Sequence, residues 1–342
     1  MKDILNAGII GAGRIGKVHA DTLAYRIPAA RVLAVADVNL PAAEALAARH
    51  HIPCASADYR DVLNNPDIQA VLLCSATDTH AAFTEEAALA GKHIFCEKPI
   101  ALDLAEIDHT LATVARAGVK LQVGFNRRFD ANFRRVRQAV ESGEIGRPAL
   151  LHIISRDPAP PPIAYVKVSG GMFLDMTIHD FDMARYLIGA EVEEVYTQAA
   201  VTVDPAIGEA GDVDTALVVL KFADGLIGTI DNCRRAPYGY DQRVEILGSQ
   251  GSIATGNYYP NAAVISDATS VRRDLPLNFF MDRYTESFVQ ETQAFIDAMV
   301  AGTAPQPTGL DGRMSVAVGL AAKRSLQENR PVKLAEFVPS AV

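Results

Sequence analysis

A chain of 342 residues, 49% hydrophobic and 21% charged, is long enough to bury full cores in two domains rather than one. Its formal net charge of −9 excludes the broad basic field that nucleic acid or an anionic lipid surface requires, which points to a small-molecule partner, with no nucleic acid and no membrane.

The opening MKDILNAGIIGAG is apolar for too few residues to span a membrane and lacks a signal-peptide cleavage pattern, so a cytoplasmic protein is expected. Strand-like and helix-like stretches then alternate: ILNAGIIG, a helix from about Ile15, RVLAVADV, PAAEALAARH, QAVLLCSA, AAFTEEAALAG and KHIFCEK. This alternation predicts a parallel sheet with helices on both faces over residues 1–122. From about Val123 the pattern changes to longer strands, PALLHIISRD, EVEEVYTQAAVTV, TALVVLKFADGLIGTIDNC and QRVEILGSQGSIATG, with hairpin signals at Asp224-Gly225 and between Gly248 and Gly251. Residues 123–342 are therefore expected to form an α+β domain with a large open, mostly antiparallel sheet. FDANFRRVRQAVESG and MFLDMTIHDFDMARYLIG read as helices closed by glycine, a third helix lies around TESFVQETQAFIDAMVAG, and Asp157–Pro162 reads as a stiff loop inside the second domain. Cys54, Cys74, Cys96 and Cys233 form no C-x-x-C and no His/Cys cluster. They are expected to be buried reduced thiols, with no disulfide and no metal.

Gly11-Ala12-Gly13-Arg14-Ile15-Gly16 follows an apolar strand and opens a helix, the context that gives a G-x-G-x-x-G match its meaning. The first glycine permits the turn, the second lets a pyrophosphate approach the backbone, and the third allows close helix–strand packing, with the phosphates on the helix N-terminus. RVLAVADV ends in Asp37, placed to receive the adenosine ribose hydroxyls; Val38 and Asn39 offer no cation for a 2′-phosphate, so NAD is expected over NADP.

Glu97-Lys98-Pro99 ends the strand HIFCEK, which puts Lys98 at the carboxyl edge of the parallel sheet, where it could stabilise alkoxide character on a substrate hydroxyl. Asp175 and His179 are four apart on a predicted helix and share a face with Asp182, so His179 is a candidate general base flanked by acids. His19, His50, His51, His93, His109 and His152 share no spacing and are read as structural.

GAGRIG, Asp37, CEKP, GFNRRFD and GGMFLDMTIHDFD together resemble the Gfo/Idh/MocA oxidoreductases, and within them the inositol dehydrogenase branch, with SRDPAPPP and YGYDQRVE the more specific matches. The likeness runs over almost the whole chain. It implies an N-terminal Rossmann domain that binds NAD, and oxidation of a secondary hydroxyl of a polyol, with myo-inositol and its 2-keto product scyllo-inosose favoured. The implied catalytic group is Lys98, Asp175 and His179, with Asn126 and Arg127 lining the site and Asp157 with Tyr238 or Tyr240 contacting ring hydroxyls. Ser75, Thr77 and His80 correspond to a loop that touches the cofactor, and Arg14, Ile15, Val38 and Glu97 join the cofactor-binding set.

Scyllo-inositol and glucose-type sugars are alternative substrates of the same family. A non-catalytic NAD-binding sensor is the alternative of another class, disfavoured because Lys98, Asp175 and His179 occur together; an NAD-dependent glycosidase is disfavoured by the wording GGMFLDMTIHDFD. A sheet with one face bare of helices calls for a homo-oligomer, a dimer or tetramer with paired sheets.

Overall fold

The computed structural model describes residues 4–337. They form two compact units: the first runs to Phe129 and takes in Glu286–Val316, and the second comprises Asp130–Thr285 and the chain from Ala317 onward.

In the first unit, β1 (Leu5–Ile10), α1 (Arg14–Tyr25), β2 (Ala30–Ala36), α2 (Leu40–His50), β3 (Cys54–Ser56), α3 (Arg60–Leu63), β4 (Ala70–Leu73), α4 (His80–Leu89), β5 (His93–Glu97), α5 (Leu104–Ala117) and β6 (Leu121–Gly124) follow in order. The six strands are all parallel, in the order β3-β2-β1-β4-β5-β6. The central strands are largely apolar, as in sheets covered on both faces, and β4 is buried at every position. The order reverses between β1 and β4, and ligands of such sheets bind at the carboxyl ends of the strands beside that reversal. α5 begins at Asp103, whose carboxylate accepts from the backbone N–H groups of Ala105 and Glu106, and stops at Gly118 with φ 69°.

The second unit holds α6 (Ala131–Glu141), β7 (Pro148–Arg156), α7 (Ile163–Val166), α8 (Ile178–Ile188), β8 (Val192–Ala200), α9 (Pro205–Glu209), β9 (Thr215–Phe222), β10 (Ile227–Cys233), β11 (Asp241–Gly248), β12 (Gly251–Thr255), β13 (Val264–Ser266) and β14 (Val271–Arg273). Helices α10 (Phe280–Ala301) and α11 (Gly309–Glu328) then carry the chain into the first unit and back, and β15 (Val332–Lys333) closes it. Seven strands build a sheet in the order β12-β11-β7-β10-β9-β8-β15. All neighbours are antiparallel except β7 and β10. Gly225 turns the β9–β10 hairpin at φ 87°, and Gly248 pairs with Gly251 across the β11–β12 turn.

One face of this sheet packs inward, with Leu151 and Ile153 of β7, Ile230 of β10 and Val218 and Leu220 of β9 buried, and α8 lies on β7. The opposite face exposes Leu150, Leu217, Val219, Ile227 and Leu247. No helix of the described residues is long and apolar enough to cross a membrane. The four cysteines are free thiols, and Cys74 and Cys96 are buried. Cys54 corrects the expectation of burial: it opens the three-residue outermost strand β3 and is exposed, while Cys233 is half-buried.

Candidate active site

In the first unit the glycine turn links the end of β1 to α1. Gly11 has φ 104°, and a Cβ there would lie 2.4 Å from the carbonyl oxygen of Cys74, at the end of β4. A Cβ on Gly16 would lie 1.9 Å from the Gly11 carbonyl oxygen, which is the close packing that excludes any side chain. Gly13 differs from both: among the described residues a Cβ there would meet no atom outside its own neighbours within 4 Å, and as N-cap of α1 it makes no side-chain capping bond. Open space beside uncapped helix N–H groups is what a diphosphate requires, so the loop fits a dinucleotide. Arg14 is exposed and Ile15 half-buried at the start of the helix.

Asp37 stands at the tip of β2, where one carboxylate oxygen accepts from Ala12 N (2.7 Å) and the other from Asn39 N (2.8 Å). The carboxylate is thus fixed to the glycine turn, with lone pairs remaining for ribose hydroxyls. Val38 beside it is exposed. After β4, Ser75 Oγ and Thr79 Oγ1 are 2.7 Å apart, and Thr77 opens a short 3₁₀ turn. His80 is buried, with Nδ1 2.8 Å from the Pro99 carbonyl oxygen and Nε2 3.2 Å from that of Ser75. Burial lowers its pKa, against the raising effect of these carbonyls. His80 therefore ties the loop after β4 to the turn after Lys98.

Lys98 follows the last residue of β5 and is half-buried. The preceding Glu97 accepts from His19 Nε2 at 2.9 Å, and the other ring nitrogen of His19 lies 3.0 Å from Thr292 Oγ1. His19, read from sequence as structural, thus anchors the strand end that carries Lys98. After β6 the short turn Asn126–Phe129 buries both Asn126 and Arg127, and Arg128 pairs with Asp311 at 2.9 Å.

In the second unit, Gly170 and Gly171 both take positive φ, and the two oxygens of Asp212 receive Met172 N at 3.1 and 2.9 Å. The chain then makes a π-turn over Met172–Met176, closed by Thr177 N to Met172 O, before α8 begins at Ile178. This corrects the expectation of one regular helix through Asp175 and His179. Asp175 sits in the wide turn and His179 in the first turn of α8, so α-helical four-residue spacing does not relate them; an inserted π-turn is a frequent mark of functional positions.

Neighbours on β10 hold this segment in place. Asn232, fully buried, accepts from Thr177 Oγ1 (2.7 Å) and donates to Asp180 Oδ2 (2.9 Å), which pins the residues on both sides of half-buried His179. Asp182 is fully buried. Asp175 accepts from Tyr165 OH on Oδ1 (2.9 Å) and from Arg234 Nη1 on Oδ2 (3.2 Å). Asp157, just beyond β7, lies 3.9 Å from the same Arg234 nitrogen, and its backbone pairs with Cys233 and Ala236. Tyr165, Arg234 and Asn232 were not singled out by the sequence motifs, since each belongs to a stretch without distinctive spacing.

The two candidate tyrosines separate. Tyr238 donates to Asp241 (2.6 Å) and accepts from Arg156 (3.1 Å), within a network that includes the Arg156–Asp231 and Arg243–Asp241 ion pairs. Its pKa is raised, first by burial and then by the hydrogen bond to Asp241. Tyr240 is buried, edge-on to Tyr284 with ring centroids 6.0 Å apart.

Residues 5–125 match the oxidoreductase family with an NAD-binding Rossmann fold, and residues 133–254 match the GFO/IDH/MocA C-terminal domain. The chain is 48% identical to a myo-inositol 2-dehydrogenase of Thermotoga maritima, over 98% of this chain and all of that protein. A crystal structure of a probable dehydrogenase from Thermotoga maritima superposes with a TM-score of 0.96 at 48% identity, covering 98% of this chain and 100% of the other. Scyllo-inositol dehydrogenase from Lactobacillus casei, solved with NAD(H) and scyllo-inositol, gives a TM-score of 0.91 at 30% identity, over 97% of this chain and 100% of the other.

Proposed function

Since the chain belongs to the Gfo/Idh/MocA oxidoreductase family, we propose that it is an NAD-dependent dehydrogenase that oxidises a secondary hydroxyl of a cyclitol, with myo-inositol, converted to scyllo-inosose, as its substrate. The observation that carries this reading is the 48% identity to a myo-inositol 2-dehydrogenase over essentially the full length of both chains. The bound NAD+ supplies a hydride acceptor. Gly11, Gly13 and Gly16, with Arg14 and Ile15, would hold its diphosphate at the start of α1, and Asp37, with Val38 alongside, its adenosine ribose. Ser75, Thr77, Glu97 and Asn126 would complete that set, and His80 would act by holding the Ser75 loop in place.

His179 would take the hydroxyl proton at an imidazole nitrogen while the carbon-bound hydrogen leaves as hydride. Lys98 would hydrogen-bond the reacting oxygen as it gains alkoxide character. Asp175 would orient the hydroxyl and balance the charge. Arg127, Asp157 and a tyrosine of the pair Tyr238 and Tyr240 would meet the remaining ring hydroxyls.

Scyllo-inositol stands as the second substrate to test, on the likeness to the Lactobacillus casei enzyme. The functional division falls near residue 122, with dinucleotide binding before it and substrate binding after. The four free cysteines accord with a cytoplasmic location. The open face of the seven-stranded sheet, which exposes Leu150, Leu217 and Ile227, supports assembly into a homodimer or homotetramer.

The test is a panel of myo-inositol, scyllo-inositol, glucose, xylose and simple secondary alcohols, each with NAD and NADP. Myo-inositol with NAD should give the highest kcat/KM, with NADP at least about tenfold poorer because Asp37 repels a 2′-phosphate. Equal turnover of simple alcohols, or of both cofactors, contradicts the substrate or the Asp37 assignment respectively. Binding of NAD with no turnover of any member would instead favour a sensor.

A further inference from the structure

Arg234 stands one residue beyond β10 and is only 2% exposed, although no motif of the sequence marks it. Its backbone N–H donates to the Asp214 carbonyl at 2.8 Å, which fixes where the side chain starts. The guanidinium nitrogen Nη1 then lies 3.2 Å from Asp175 Oδ2 and 3.9 Å from Asp157 Oδ2. The backbone of Asp157 is fixed beside this cation, because its own N–H and C=O pair with Cys233 and Ala236, one residue before and two residues after Arg234. Asp175 is held from the other side too, where Tyr165 OH reaches Oδ1 at 2.9 Å.

We propose that Arg234 is a positioning residue for the dehydrogenase reaction: with Tyr165 it fixes the Asp175 carboxylate in one orientation, and it couples Asp175 to Asp157 through a shared buried cation. The proposal rests on the dehydrogenase reading above. Two carboxylates brought close in a partly buried place repel each other, and an intervening cation is what lets both remain there. A guanidinium suits this better than an ammonium, because its planar fork fixes direction as well as charge. Nε and Nη2 of Arg234 are shielded from solvent and have no acceptor among the described residues. Its ion-pair contacts are with the two carboxylates, and its influence on substrate runs through them. In this arrangement the group that orients the reacting hydroxyl and the group assigned to a ring hydroxyl are set by one residue, so a change at Arg234 displaces both at once.

The experiment is a double-mutant cycle on the full-length enzyme with Arg234→Gln and Asp175→Asn, together with Arg234→Lys and Tyr165→Phe, measuring kcat and KM for myo-inositol, NADH affinity and Tm. Arg234→Gln should lower kcat/KM by about a hundredfold, the scale of a misplaced catalytic group. NADH affinity should stay within about twofold, and Arg234→Lys should recover part of the loss. On the Asp175→Asn background the same Gln substitution should cost less than about threefold, since the residue it acts through has already been changed. Losses that multiply in the double variant, an Arg234→Gln enzyme within about threefold of wild type, or NADH binding that weakens in step with turnover would overturn the proposal. Should Arg234→Gln fail to fold, Tyr165→Phe carries the same cycle from the other oxygen of Asp175, with a loss of about tenfold expected and the same non-additivity. Wild-type turnover of myo-inositol is measured alongside. If it is absent, the substrate assignment fails, and the cycle is run on the polyol that the panel identifies.

Discussion

At the scale of single residues, what the structure adds to the motifs is the set of partners that fix them. Asp37, Lys98, Asp175 and His179 stand out in the sequence because of their residue type and position beside glycine or strand ends. Their supports do not: His19 behind Glu97, Asn232 beside α8 and Arg234 behind Asp175 lie up to 78 residues from what they hold, and no local pattern records such a pairing. If His179 is the general base, His179→Ala should lower kcat by about two to four orders of magnitude while NADH still binds. Retention of most activity in that variant would transfer the role to another group. His80 gives a pH prediction of definite sign. Its folded pKa lies below the ordinary histidine value, so the folded state binds fewer protons there than the unfolded chain, and the stability this contributes is present above that ordinary value and is lost as pH falls through the folded one. Tm should accordingly drop between about pH 7 and 5, on either side of the usual histidine range. His80→Gln should make that acid limb shallower, and an unchanged limb would remove His80 from the account.

At the scale of elements, the parallel strands β1, β2, β4 and β5 and the β9–β10 and β11–β12 hairpins were legible because burial on two faces and glycine turns leave direct marks in sequence, whereas the short strands β3 and β6 were not. Helix α11 was not, and its glycines explain why. They weaken the helical pattern and allow close packing against leucine side chains: a Cβ on Gly309 would come 2.3 Å from the end of Leu111, and one on Gly319 would come 2.6 Å from the end of Leu174. Helix α5 did carry a signal, Asp103 at its start and Gly118 at its end, which the alternation of larger elements obscured. The π-turn before α8 was illegible for a different reason, since its cause, Asp212 holding Met172 N, lies 40 residues away. The glycine turn yields a prediction that separates folding from binding. Gly16→Ala should destabilise the protein by about 1–3 kcal/mol or more, because the new methyl group meets a backbone oxygen that cannot yield. Gly13→Ala should leave Tm within a few degrees but weaken NAD binding by at least about tenfold, as the methyl group enters only the open space beside the helix start. Calorimetry and NADH titration check both, and a Gly13→Ala protein that binds NAD normally would place the diphosphate elsewhere.

At the scale of the whole molecule, the open face of the seven-stranded sheet is the feature with the plainest solution consequence. Leu150, Leu217 and Ile227 are 48%, 58% and 45% exposed on neighbouring strands, on a face that also carries the Arg156–Asp231 ion pair, a mixed surface that a second copy of the sheet would cover. Leu217→Arg should leave the fold intact and reduce the mass measured by light scattering to that of a smaller species, and a wild-type protein already monomeric at micromolar concentration would refute assembly through this face. The route of the backbone has another consequence. The core of the first unit joins Leu5, Ile9, Val35 and Phe95 to Phe295, Ile296, Ala298 and Met299, which are synthesised some 200 residues after β5. At usual translation rates that gap is on the order of ten seconds or more. A ribosome making this protein therefore exposes an unfinished nucleotide-binding sheet while the second unit is being made, and release of the helix that completes it comes near the end of synthesis. Expression of residues 1–129 alone should for that reason yield aggregated material, and adding residues 286–316 in trans or by fusion should restore solubility.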